Sequence, residues 1–154
     1  MDELKEQISI EKEYIENTIS VLEEALNSDE ITIIKLSAIA VFVQNTYGGM
    51  ENILKRILLA MDEEIPDTAS SHRDLIDLAR KKRIISADLV KRLDGYRAFR
   101  HFFVHGYGIM LDPDKLLPLA EELPSVWEQF DIEISNFLSK KKKIIRKGTS
   151  SKKK

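Results

Sequence analysis

Residues 100–108 read RHFFVHGYG and gather the side chains best suited to acid–base and phosphate chemistry. An imidazole ordinarily titrates near ~6.5 and can take or return a proton at neutral pH. A guanidinium can grip phosphate oxygens with a two-pronged hydrogen bond and stabilise charge as it develops. Two of the three histidines, His101 and His105, stand here four residues apart, with Arg100 before them and Tyr107 after. They lie among Phe102, Phe103 and Val104, in one of the most apolar stretches of the chain. A cation, an imidazole and a phenol therefore converge at what the pattern predicts to be a helix terminus.

That helix is expected over 86–110, capped by Ser86. Leu89, Leu93, Tyr96, Arg100, Phe103 and Tyr107 follow one another in steps of four and three, so all six share one face. Arg100 thus occupies a seam position where a bundle wants an aliphatic residue. An unpaired buried guanidinium is costly, so Arg100 needs an acid or a water-filled cleft. Glu51, which follows the Gly48-Gly49 pair closely, is a candidate acid to orient it. Gly106 and Gly108 loosen the helix end beside the cluster.

Taken alone, these residues leave several readings open. Arg100 paired with a buried acid serves structure as readily as catalysis. Tyr96 and Tyr107 can be core aromatics with a polar tip, and Phe99, Phe102 and Phe103 core or interface. His101 and His105, one helical turn apart, could share a metal. No Glu lies between them and His72 is the only other imidazole, so the ligand set is incomplete and neither metal nor cofactor is expected.

The elements around the cluster all have helical period. Leu4, Ile8, Ile15, Ile19, Leu22 and Leu26 form one stripe over 2–27. The segment 30–61 is apolar nearly all round, as in a helix covered on more than one side. Gly48 and Gly49 inside it imply close packing or a kink. Ser71 can cap a short helix 72–82, with Asp74 completing a capping box. Asp112-Pro113 starts the last helix, which runs to about Leu138 on Leu116, Leu119, Leu123, Trp127, Phe130, Ile134 and Phe137. No alternating strand pattern occurs. The expected fold is all-α, a bundle of four long helices and one short one.

At 154 residues the chain suits one domain, with 43% hydrophobic and 32% charged residues as in ordinary soluble proteins. Cysteine is absent, which excludes disulfides and fits a reducing cytoplasm. The longest apolar run, LSAIAVFV, is too short to span a bilayer, and the acidic N-terminus has no signal-peptide pattern. The net charge of −2 hides an asymmetry. Residues 139–154, SKKKKIIRKGTSSKKK, hold nine of the 24 basic residues and no acid, leaving 15 basic against 26 acidic residues in 1–138. We expect a helical domain over 1–138 and a disordered basic tail over 139–154. An acidic body argues against nucleic-acid binding across the whole surface, so any such site must be local.

RHFFVHGYG resembles the R-x4-6-H signature of the HEPN superfamily, and more closely the R-x4-H-x-Y form of the HepT-like toxins. Arg100, His105 and Tyr107 match the motif Arg, His and Tyr. His101 stands where that family usually has Asn. YGGMENILKRIL resembles the family's second helix and SSHRDLI its short connecting helix, so the likeness spans about 1–138. The resemblance implies a dimerising HEPN-type bundle that cleaves RNA without metal. In that reading His105 is the acid/base, Arg100 the phosphate binder, and His101 a supporting phosphate-orienting group or second proton carrier. It also implies a toxin–antitoxin pair, in which a cognate minimal nucleotidyltransferase neutralises the toxin by AMP transfer to Tyr107. A non-catalytic HEPN module that binds a nucleotide or regulates a nucleotidyltransferase is the alternative, followed by a purely interacting helical module. A homodimer is also expected from the residues. Helix 30–61 looks too apolar for one small bundle to cover, and the aromatic run 99–103 offers contact surface, with two copies of Arg100 and His105 near the axis.

Overall fold

Three short polar signals set where helices begin. Thr32 accepts a hydrogen bond from Lys35 N (3.2 Å), Ser86 Oγ from Leu89 N (3.1 Å), and Asp112 Oδ1 from Asp114 N (3.0 Å) with Pro113 in the first helical position. Each satisfies a backbone donor that the first turn leaves open. In the computed structural model the helices are α1 (Asp2–Leu26), α2 (Ile33–Ala60), α3 (Ser71–Lys81), α4 (Ala87–Phe102) and α5 (Pro113–Lys152). The structure describes residues 2–65, 71–103, 105 and 111–152, with the backbone alone for 71–74 and 142–152. Among the described residues there is no strand, so the all-α bundle is as expected.

The central helix is α2, which packs on α1, α3, α4 and α5. Its Ile39, Val43, Ile53, Leu54 and Leu58 are fully buried, and they meet Ile15 and Leu22 of α1, Leu93 of α4, and Leu123, Phe130 and Ile134 of α5 in one core. The glycine pair divides its work. A Cβ on Gly49 would come within 2.7 Å of Ile15 Cγ1, so Gly49 is what lets α1 lie this close to α2. A Cβ on Gly48 would meet no described residue within 4 Å.

Three boundaries differ from the sequence expectation. The α-helical part of the 86–110 segment ends at Phe102, and Phe103 and His105 then have backbone of π type; Val104, Gly106 and Gly108 lie outside the described residues. The last helix does not stop near Leu138 but continues through Lys152; Lys, Arg and Ile all propagate a helix, and no breaker stands at the expected end. Ser71 is itself helical, and its cap with Asp74 falls on side chains outside the description. A single chain also covers more of α2 than the sequence implies. The large apolar residues of α2 left exposed are Ile33 and Ile34 in the first turn, Val41, and Leu59 near the end. No described helix is long and apolar enough to cross a membrane.

Candidate functional site

The N-terminal half of α4 is clamped to α5. Ser86 donates to Glu133 through its backbone N (2.6 Å to Oε1) and its hydroxyl (2.9 Å to Oε2). Arg92 donates to Gln129 Oε1 (2.7 Å), to Ser125 Oγ (2.9 Å) and through two nitrogens to Glu122 Oε1 (3.2 and 3.3 Å). Tyr96 Oη donates to the Leu119 carbonyl at 2.7 Å. A Cβ on Gly95 would come within 2.9 Å of Leu119 Cδ2, so this glycine permits the close approach of the two helices. These contacts fix the axis of α4, and with it the place where its last turn emerges.

On that last turn, Arg100 Nε lies 3.7 Å from Glu51 Oε1, an ion-pair distance beyond a good hydrogen bond. Glu51 comes from α2 and is buried, 6% exposed, whereas Arg100 keeps 26% of its side chain open. The acid that the sequence offered as an orienting partner is therefore brought to Arg100. One turn before Glu51 on α2 is Tyr47, 1% exposed and stacked on Tyr96 at 6.4 Å between ring centroids. Burial pushes the Tyr47 hydroxyl well above the usual phenol range, and the charge of Glu51 adds to that, while Arg97 and Arg100 pull it down. Burial likewise raises Tyr96, with Glu122 adding and Arg92 opposing.

His101 and His105 are both exposed, their rings 4.3 Å apart and tilted by 57°. Arg100 lies on the last turn of α4, and His105 lies beyond that helix in backbone of π type. Tyr107 lies outside the described residues, as does the side chain of His72.

Arg100 also stands at the edge of a cleft of about 700 Å³. Glu11 and Tyr14 of α1 form one wall, Gln44, Asn45, Gly48, Asn52 and Lys55 of α2 the floor, and Leu75 of α3 part of the far side. Sequence reasoning missed this cleft. Its signal was present, since Asn45, Gly48, Asn52 and Lys55 recur at steps of three and four on an otherwise apolar helix. Among the described residues, no three or more His, Asp or Glu side chains are grouped so as to hold a metal.

A family model described as HepT-like protein matches residues 38–141, which include nearly all of α2, then α3, α4, the Arg100 motif and α5 as far as Lys141. The chain belongs to the HepT-like family. It is thereby a member of the HEPN superfamily, whose all-helical fold is the one described above. No curated protein and no solved structure matches the chain. The HepT-like match contains Glu51, Arg100, His101, His105 and the floor of the cleft, while α1, with Glu11 and Tyr14, lies before it.

Proposed function

We propose that this HepT-like protein is a toxin-type endoribonuclease that needs no metal ion. The observation that carries the reading is the C-terminal end of α4 and the residues just beyond it, where Arg100 meets a buried acid at a cleft edge and the exposed rings of His101 and His105 lie 4.3 Å apart. RNA brings its own nucleophile, the 2′-hydroxyl. His105 takes its proton as the 2′ oxygen attacks phosphorus, and a protonated imidazole, with His101 the nearest candidate, returns one to the departing 5′ oxygen. The P–O5′ bond breaks, leaving a 2′,3′-cyclic phosphate and a 5′-hydroxyl. Arg100 holds the non-bridging oxygens while negative charge builds on them, and Glu51 orients Arg100.

In this reading the protein works as a homodimer in the cytoplasm, with two motifs forming one cationic cleft in an acidic body. The packed bundle is assigned to 1–138, and the Lys-rich 139–154, into which α5 runs on as far as Lys152, is left outside it. A cognate minimal nucleotidyltransferase is the antitoxin. It would join AMP to the Tyr107 oxygen with loss of pyrophosphate from a nucleoside triphosphate. The added phosphate would then pair with Arg100 and the nucleoside would block RNA entry.

The test is cleavage of a labelled single-stranded RNA by the full chain with and without excess EDTA, beside a folded His105→Ala variant. The proposal expects EDTA to change nothing and His105→Ala to lose at least about 10²-fold in rate. Cleavage that EDTA abolishes and zinc restores would overturn it, as would full activity of His105→Ala. Mass spectrometry after co-expression with the nucleotidyltransferase should find the AMP adduct on Tyr107, and an adduct on another residue would defeat that part.

A further inference from the structure

Gly48 is unexplained by packing among the described residues. A glycine inside a helix costs about 1 kcal/mol relative to alanine, and Gly49 next to it is accounted for by its contact with Ile15. Above Gly48 there is open space among the described residues, with none of their atoms within 4 Å of where a methyl group would stand. That space is the floor of the 700 Å³ cleft. Around it, the side chains of Asn45, Asn52 and Lys55 make no hydrogen bond or ion pair among the described residues, and Gln44 Oε1 is buried with no hydrogen-bond partner among them. Amides elsewhere in this bundle are not idle. Gln129, between α4 and α5, accepts from Arg92 and donates to both Asp88 and Glu133.

We propose that this cleft seats one unpaired nucleobase of the RNA strand, next to the phosphate held by Arg100. The inference rests on the ribonuclease reading of the α4 motif. The volume falls within the ~300–1,000 Å³ of small-molecule sites. A second copy of the chain would bring a broader and more apolar surface than this concave, amide-lined one. A base is flat, so it can lie against the helix backbone where Gly48 presents no side chain. Its edge carries hydrogen-bond groups that Asn and Gln can satisfy. Tyr14, half exposed on the α1 wall, offers a ring on which a splayed base can stack. The two acids of the cleft select among bases. Glu11 lies 3.5 Å from Arg56 and Glu51 lies 3.7 Å from Arg100, and a carboxylate facing a guanidinium presents hydrogen-bond acceptors. An edge with an amino donor, such as that of cytosine, is therefore favoured over the carbonyl-flanked edge of uracil.

The experiment is NMR titration of the full chain with CMP, UMP and inorganic phosphate, following the side-chain amide signals of Gln44, Asn45 and Asn52. CMP is expected to move all three signals, phosphate alone to leave them unmoved, and UMP to bind at least about threefold more weakly. Gly48→Leu fills the cleft while improving helix propensity, and should weaken CMP at least about tenfold. Asn52→Ala, an exposed position, should weaken it about fivefold. Unmoved amide signals, equal affinity for UMP, or normal CMP binding by Gly48→Leu would overturn the assignment. So would a Gly48→Leu protein that loses self-association while CMP still binds, which would mark the cleft as a contact between copies. None of these readouts needs turnover. RNA cleavage without nucleotide-induced shifts would defeat the base site alone, and shifts without cleavage would defeat the ribonuclease reading alone.

Discussion

Arg92 and Arg100 stand two turns apart on α4 and are almost equally exposed, 24% and 26% of their side chains, yet their settings differ. Arg92 is enclosed by acceptors from three residues of α5, so its fork is already filled by the protein. Arg100 lies 3.7 Å from the buried Glu51 carboxylate and borders an open cleft. Exposure alone would rank the two as equivalent. What separates them is where the acceptors sit. A guanidinium held wholly against a neighbouring helix ties the two together, and one that also borders a cleft stands where an entering anion can reach it.

The largest expected effect breaks this pair apart. Arg100→Lys keeps the charge near Glu51 but loses the planar fork, and should slow RNA cleavage by at least about 10²-fold with little change in thermal stability. Arg92→Lys should do the reverse, costing about 1–3 kcal/mol in urea denaturation while the folded protein keeps its activity. Equal activity losses for the two would erase the distinction.

Adjacent glycines give a second contrast. Gly49→Ala forces a methyl against Ile15 and should destabilise by about 1–3 kcal/mol. Gly48→Ala meets open space among the described residues and should stabilise by up to about 1 kcal/mol. Paired urea titrations read both signs. A smaller effect tests the clamp. Glu133→Ala removes the acceptor of both Ser86 donors and should cost about 1–2 kcal/mol, with the cleavage rate per folded molecule unchanged.

The smallest effect is in the alkaline range. Tyr47 is held protonated in the fold above the pH at which it ionises when unfolded. The folded state therefore binds more protons than the unfolded state once pH exceeds about 10, and stability falls as pH rises from there. Tyr47→Phe should remove part of that decline, seen as an alkaline unfolding midpoint shifted upward. An unchanged midpoint would mean that Tyr47 is not the group responsible.

Much of this arrangement was legible in the sequence because local chemistry fixes it. Ser86 and Asp112-Pro113 announce helix starts through their own capping geometry, and the three–four spacing of Leu89, Leu93 and Tyr96 marks the buried face of α4. Glu51 could be singled out because a guanidinium on a bundle seam requires an acid within reach. The Arg92 network was not legible, since its partners stand 30 to 37 positions away and a lone surface Arg carries no sign of them. The cleft was hidden for a related reason. Asn45, Gly48 and Asn52 read as ordinary breaks in an apolar helix until α1 and α4 are placed on either side. The end of α4 departed from expectation because an apolar, aromatic run continues a helical pattern without revealing that its backbone becomes π type at Phe103 and His105.

The central claim is that Arg100 and His105 direct the substrate's own 2′-hydroxyl at its phosphate. The ends of the cleaved RNA test this most directly. Mass spectrometry of fragments produced by the full chain in excess EDTA should find 2′,3′-cyclic phosphates and 5′-hydroxyls, and no cut where a 2′-deoxynucleotide replaces the one before the scissile bond. Fragments ending in 3′-hydroxyl and 5′-phosphate, or cutting that persists at the deoxy position, would contradict the account.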